Sequence, residues 1–227
     1  TIGESYMRAH ETENGNMLLP FLRNVISLYL DHPSSDVRRE AAVTCSLLLL
    51  PFGKNVRDGI NGDSILSFRL GNVSGNFAEE ILQKLLRIAV SDLSPVVRLC
   101  VIGGLDERFD PYLSQLSLLP PLFLMLEDET LVMRACALQL MGRLSRLNPA
   151  IILPGLRVVL KDLILELQCG GDGGGKEAAT RLIIIFLREE ALQQLVRPII
   201  SSIIDSLPLS DDVPRLVSAS LEALGEL

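Results

Sequence analysis

A basic residue at the opening of an apolar helical stretch recurs along this chain, at Val37-Arg38, Val97-Arg98, Met133-Arg134, Gly175-Lys176 and Pro214-Arg215. Consecutive spacings are 60, 36, 42 and 39 residues, a period near 40 with one insertion. Self-similarity at such a period marks a repeat architecture, in which each supersecondary unit leaves an apolar face that only a neighbouring unit covers. Three positions after the basic residue the side chain is small at Ala41, Ala137, Ala179 and Ser218, with Val101 the exception. Small side chains there let two helices approach closely, so these positions are expected on the inner face.

The unit is most legible at 76–105. Residues 76–90 are apolar at Phe77, Ile81, Leu82, Leu85, Leu86 and Ile88 with charge between, the spacing of a helix that buries one stripe. A short turn follows, and Pro95 suits the first turn of a second helix, where a missing N–H costs nothing. Asp92 is placed to accept N–H groups at that helix start, and Arg98 to reach back across the turn to Asp92. Asp128 and Arg134 repeat the same six-residue spacing. The expected fold is all-α, a solenoid of antiparallel helix pairs. Its hairpins are expected at 8–50, 76–110, 111–147, 148–188 and 189–227, with a loop insertion at 51–75. The expected helices are 17–30, 37–50, 76–90, 118–126, 131–147, 148–168, 176–188, 191–207 and 213–227, with one further helix from Pro95. Asp110-Pro111 and Asn148-Pro149 each read as an N-cap followed by proline at the first helical position. The glycine-rich insertion is read as a loop with one short turn at 65–70, disorder being the simpler reading and a functional loop the alternative. Both ends fall inside a helical pattern, so a segment of a longer solenoid is expected.

Composition agrees. Hydrophobic residues make up 48% and aromatics 4%, with no Trp, and a core of Leu, Ile, Val and Ala favours close-packed helices over a β-sandwich. Mean hydropathy is +0.35, yet the longest apolar runs, 47–52, 118–126 and 182–187, fall well short of the roughly 20 residues that a membrane-spanning helix needs. No signal peptide is visible at Thr1. With 21 basic and 28 acidic residues and no basic cluster, the chain lacks the stripe that phosphate neutralisation requires, so nucleic acid is not an expected partner. Cys45, Cys100, Cys136 and Cys169 form no C-x-x-C pair and are read as buried small hydrophobes in a reducing compartment.

No motif carries chemistry. Gly170, Gly175 and Lys176 fit G-x-x-x-x-G-K, but the position that must offer a hydroxyl to Mg²⁺ is Glu177, and the preceding segment reads as a helix rather than a strand. His10 and His32 sit in polar stretches outside any Ser/His/Asp or Cys/His pattern. No set of four paired Cys/His ligands exists for zinc. Catalytic, cofactor and metal residues are therefore all expected to be absent from this segment.

An Asp in the turn and an Arg after an apolar residue, as at Asp92/Arg98 and Asp128/Arg134, resemble the HEAT repeat. A more specific resemblance lies in L-D-E-R-F-D at 105–110, G-R-L-S at 142–145, N-P-A-I-I-L-P-G-L-R at 148–157, V-R-P at 196–198, L-G-E-L at 224–227 and R-R-E-A-A-V-T-C-S-L-L-L at 38–49. In this order and spacing they resemble the amino-terminal HEAT region of the target-of-rapamycin kinases, a branch of the phosphatidylinositol-3-kinase-related protein kinases. The resemblance implies a non-catalytic scaffold segment of a very large Ser/Thr kinase, with ATP and Mg²⁺ confined to a kinase domain downstream. It further implies a raptor-type adaptor and a second protomer as protein partners. The implied location is cytoplasmic, at times peripheral on lysosomal or vacuolar membranes. The turn residues Arg38, Asp92, Arg98, Asp128 and Arg134 are then structural. Asp106, Arg108, Phe109 and Asp110 read as an inter-repeat clamp, with Phe109 buried and Arg108 paired to Asp106 or Asp110. The competing readings are a free-standing HEAT adaptor, such as a transport receptor or phosphatase scaffold, and a P-loop hydrolase built on 170–176.

Overall fold

The computed structural model describes residues 22, 26–49, 75–169, 173–207 and 214–226. Among them there is no strand, and most of the described residues are helical. Residues 17–21 and 23–25 of the expected first helix, the insertion over 51–74 with its expected turn, His10, Gly170 and the side chain of Phe77 lie outside the described set. The chain divides into two compact units, Thr1–Pro121 and Leu122–Leu227.

The first unit contains a single turn α1 (Ser27–Tyr29), then α2 (Ser35–Leu48), α3 (Gly75–Ser91) and α4 (Pro95–Gly104). A 3₁₀ turn at Glu107–Phe109 leads into α5 (Asp110–Leu113). Helix α6 (Leu119–Met125) carries the boundary between the units. Three residues join α3 to α4, and so short a link folds the second helix back along the first. Ser94 has extended backbone and Pro95 opens α4, as its pre-set φ and absent N–H favour. The stripe Ile81, Leu82, Leu85, Leu86 and Ala89 of α3 is buried, as are Val97 and Val101 of α4. Helix α4 also packs directly on α2, where Ala41, Ala42 and Cys45 are buried. The approach is close enough that a Cβ at Gly104 would stand 2.9 Å from Ser46 Oγ. Second helices thus stack on second helices, which is solenoid packing.

The second unit repeats the scheme with α7 (Leu131–Ser145), α8 (Pro149–Cys169), α9 (Gly173–Arg188), α10 (Gln193–Val196), α11 (Ile200–Ser206) and α12 (Pro214–Gly225). Helices α7, α9 and α12 form one row, α9 packing against both others. Helix α8 packs on α7, α9 and α11. Gly155 of α8 sits where a Cβ would meet the Phe123 ring at 2.4 Å, so only glycine lets the two segments close without displacing that ring.

Several expectations need correction, among them the burial of all four cysteines. The run 191–207 is not one helix but the 3₁₀ turn Glu190–Leu192, α10, a second 3₁₀ turn at Arg197–Ile199, and α11. Pro198 has no N–H to donate and its ring crowds the carbonyl four residues back, which penalises a continuous α-helix; here the chain breaks into a 3₁₀ turn, whereas α8 runs on through Pro154. Ser218 is exposed rather than inward, along with Arg215. In α12 the buried stripe is Leu216, Ala219, Ser220 and Ala223, one residue later than the charge-based alignment places it. Leu216 therefore occupies the place that Arg38, Arg98 and Arg134 hold in their helices. Ala41, Val101, Ala137 and Ala179 are all buried. Helix α9 starts at Gly173, three residues before Lys176. Of the cysteines, Cys45 is buried, Cys100 and Cys136 are half-buried and Cys169 is exposed. Burial pushes the Cys45 thiol up to about 12.

Candidate functional site: the turn clamp between helix pairs

Each helix pair must present its turn to the next, and the contacts around Arg38 and Asp92 show how. The Arg38 guanidinium grips Asp92 with two parallel bonds, Nε to Oδ2 at 2.7 Å and Nη2 to Oδ1 at 2.8 Å. Its remaining nitrogen, Nη1, donates to the main-chain carbonyls of His32 and Pro33 at 2.8 and 2.9 Å. One side chain thus ties its own turn to the turn of the following pair. Asp92 Oδ1 also accepts the Ser94 N–H at 2.8 Å, which orients the carboxylate at the start of α4. Arg98 does reach back to Asp92, donating from Nη1 to its main-chain carbonyl at 2.8 Å. The Asp92 side chain is only 5% exposed and that of Arg38 15%. The hydrogen bonds from Arg38 hold the Asp92 carboxyl below the usual carboxylate range, and they raise Arg38 in turn.

A second tie runs the other way. Lys84 Nζ, on α3, donates to the Ser27 carbonyl and to Asp31 Oδ2, both at 2.8 Å. Sequence reading had no signal for Lys84, because its partners lie 57 and 53 residues away. His32 has a structural part here as well: its Nδ1 accepts the Ser34 N–H at 3.1 Å.

In the second unit Asp128 Oδ1 accepts both the N–H and the hydroxyl of Thr130, at 2.8 and 2.7 Å. Arg134 Nε donates to the Leu126 carbonyl at 3.1 Å, closing its own turn. Around Phe109, Asp106 caps the 3₁₀ turn by accepting the Arg108 N–H at 3.0 Å and pairs with the Arg108 guanidinium. That ion pair closes within two residues and spans no repeat. Phe109 is fully buried and Asp110 nearly so, and the aromatic ring anchors the turn in the core.

Three contacts between successive pairs share one offset. Ser117 donates to Glu79 at 2.9 Å, Gln168 to Ser206 at 2.8 Å and Arg188 to Glu226 at 2.8 Å, each across 38 residues. Arg38 and Asp92 are 54 apart, 16 more, the lengthening that an insertion between α2 and α3 would introduce.

Gly175 and Lys176 lie in the first turn of α9, and Gly170 lies outside the described residues. Among the described residues no cluster of three or more His, Cys, Asp or Glu is placed to hold a metal, and no helix is long and apolar enough to cross a membrane.

The chain is 33% identical over 221 residues to the Serine/threonine-protein kinase TOR of Arabidopsis thaliana, an alignment covering 94% of this chain and 9% of the relative. It is 31% identical over 215 residues to Serine/threonine-protein kinase tor1 of Schizosaccharomyces pombe, again 94% and 9%. With Serine/threonine-protein kinase TOR2 of Saccharomyces cerevisiae it shares 33% identity over 213 residues, 92% of this chain and 8% of the relative. This chain is a segment of a target-of-rapamycin protein. No family model matches the sequence. The segment spans less than a tenth of the length of these target-of-rapamycin relatives. Within the segment, the ties that sequence reading missed are those with long offsets: Arg38 to Asp92, Lys84 to Asp31, and Arg188 to Glu222 and Glu226.

Proposed function

We propose that this segment is a non-catalytic helical scaffold of a target-of-rapamycin-type Ser/Thr protein kinase that governs growth in response to nutrients. It would lie in the amino-terminal HEAT-type solenoid, where it serves docking of a raptor-type adaptor and assembly with a second protomer. The catalytic domain, with its ATP and Mg²⁺, would lie elsewhere in the parent polypeptide. The parent complex would be cytoplasmic and peripheral on lysosomal or vacuolar membranes. The observation that carries this reading is the coverage: nearly all of the segment aligns, at about a third identity, to a small fraction of several kinases. Stacked helix pairs tied at their turns support it, since a stiff array presents long surfaces without needing a pocket.

The test is deletion of the segment from the intact polypeptide. Phosphorylation of a short peptide should persist, while co-purification of the adaptor and the two-protomer mass, read by mass photometry, should be lost. Loss of peptide phosphorylation with both associations intact overturns the proposal. A free-standing HEAT adaptor is the alternative, and a parent polypeptide lacking a kinase domain would establish it.

A further inference from the structure

We propose that the outer face of α8 is a docking seam for an amphipathic helix with an acidic edge. Helix α8 already buries a complete inner stripe: Ile152, Leu156, Leu160, Leu163, Ile164 and Leu167. Its opposite face carries Ile151, Val158 and Leu165, which are 40%, 57% and 54% exposed. They stand seven residues apart, so they line up along one side with a drift of about 20° per step and run for about 21 Å. Pro154, also exposed, falls between the first two on the same side. Single exposed apolar residues need no explanation, but a row at heptad spacing on a helix whose core side is complete is the pattern that receives another helix.

Charge selects the occupant. Arg157 and Lys161 are exposed along one edge of the row, and among the described residues neither has a hydrogen bond or ion pair. Asp162 is exposed on the other edge. Arg157 and Lys161, one turn apart, make this edge locally basic in a chain of net charge −7. A partner helix with apolar residues at i, i+3/i+4 and i+7 fits the row, and carboxylates along one edge complement Arg157 and Lys161. Helix α11, packed beside α8, offers Ile204, itself exposed, as further apolar surface.

The proposal deepens the scaffold reading and rests on it only in that the segment works by binding polypeptide. The probe is a labelled 21-residue synthetic helix with Leu at heptad spacing and Glu along one edge, titrated by fluorescence anisotropy into the intact parent polypeptide. A second probe carries Lys in place of Glu. The Glu-edged helix should bind and the Lys-edged one should not. Val158→Asp with Leu165→Asp should weaken binding about tenfold or more. Arg157→Glu with Lys161→Glu should invert the preference between the two probes. All four positions are exposed, so circular dichroism and melting should match the unaltered protein. Equal binding of both probes, or indifference to either pair of substitutions, overturns the proposal. So does binding to phosphatidylserine–phosphatidylcholine vesicles with neither peptide bound. The deletion test of the scaffold reading measures adaptor and protomer association instead, so each reading can fail while the other stands.

Discussion

In the first unit the junction between α2 and the α3–α4 pair closes on a nearly buried carboxylate held by two parallel bonds from Arg38. In the second unit α9 meets α12 through apolar faces, and the ion pairs from Arg188 to Glu222 and Glu226 lie at the rim, with side chains 51%, 50% and 33% exposed. The same type of bond, at the same 2.8 Å, does different work in the two places. Where water reaches both partners, attraction is screened and holding two long side chains still costs entropy, so the net effect is near zero. Where water is excluded, an unpartnered carboxylate is costly, and the planar guanidinium fork admits only one orientation of the two turns. The ion pair therefore fixes register in the first unit, across the junction that the insertion interrupts in sequence. In the second unit the register comes from helix faces.

The largest effect should come from the apolar side of this contrast. Ala137→Asp places a charge on a residue that is 1% exposed, and should cost on the order of 4 kcal/mol in denaturant unfolding. A shift of less than about 1 kcal/mol would mean that helix faces do not hold the second unit. Next is Arg38→Ala, which leaves Asp92 without its main partner and should cost about 1.5–3 kcal/mol. Arg38→Lys should recover only part of this, because an ammonium cannot make the two-bond grip. A double-mutant cycle with Asp92→Asn should show strong coupling, and simple additivity would remove the ion pair from the account.

Acid should reach the first unit selectively. The folded-state pKa of Asp92 is lowered, chiefly by its hydrogen bonds from Arg38. The stabilisation it gives is therefore complete above the unfolded Asp value of about 3.9 and disappears as pH falls through the lower folded value. The stability gap between the natural protein and Asp92→Asn should stay constant from neutral pH to about pH 5 and shrink below about pH 4. A gap that closes near neutral pH would contradict the assignment. The smallest effect should be Arg188→Ala, within about 1 kcal/mol and further reduced by salt. A loss as large as that of Arg38→Ala would erase the distinction between buried and rim pairs.

Some of this was readable before any coordinates. The stripe Ile81, Leu82, Leu85 and Leu86 announces α3 because burial on one side of a helix imposes the 3.6-residue period on the sequence itself. Phe109 is recognisable as an anchor because it is the sole apolar residue among Asp106, Glu107, Arg108 and Asp110. The partner of Asp92 was not readable. Sequence spacing pairs it with Arg98, six residues on, whereas its carboxylate is gripped by Arg38, 54 residues back. Arg215 misleads in the same manner: aligned by charge it opens the last helix, yet the buried stripe of α12 begins at Leu216. Pro198 carried the signal for a broken helix, but apolar residues on both sides of it keep the helical pattern running through.

By itself the chain determined that it would fold as paired helices, where most of them begin, and which stripe of each is apolar, since these follow from local backbone preference and side-chain period. Which arginine meets which aspartate, and how the last helix is turned, were decided only in three dimensions. Those outcomes depend on how two packed surfaces dozens of residues apart slide into register, and no local spacing encodes that distance.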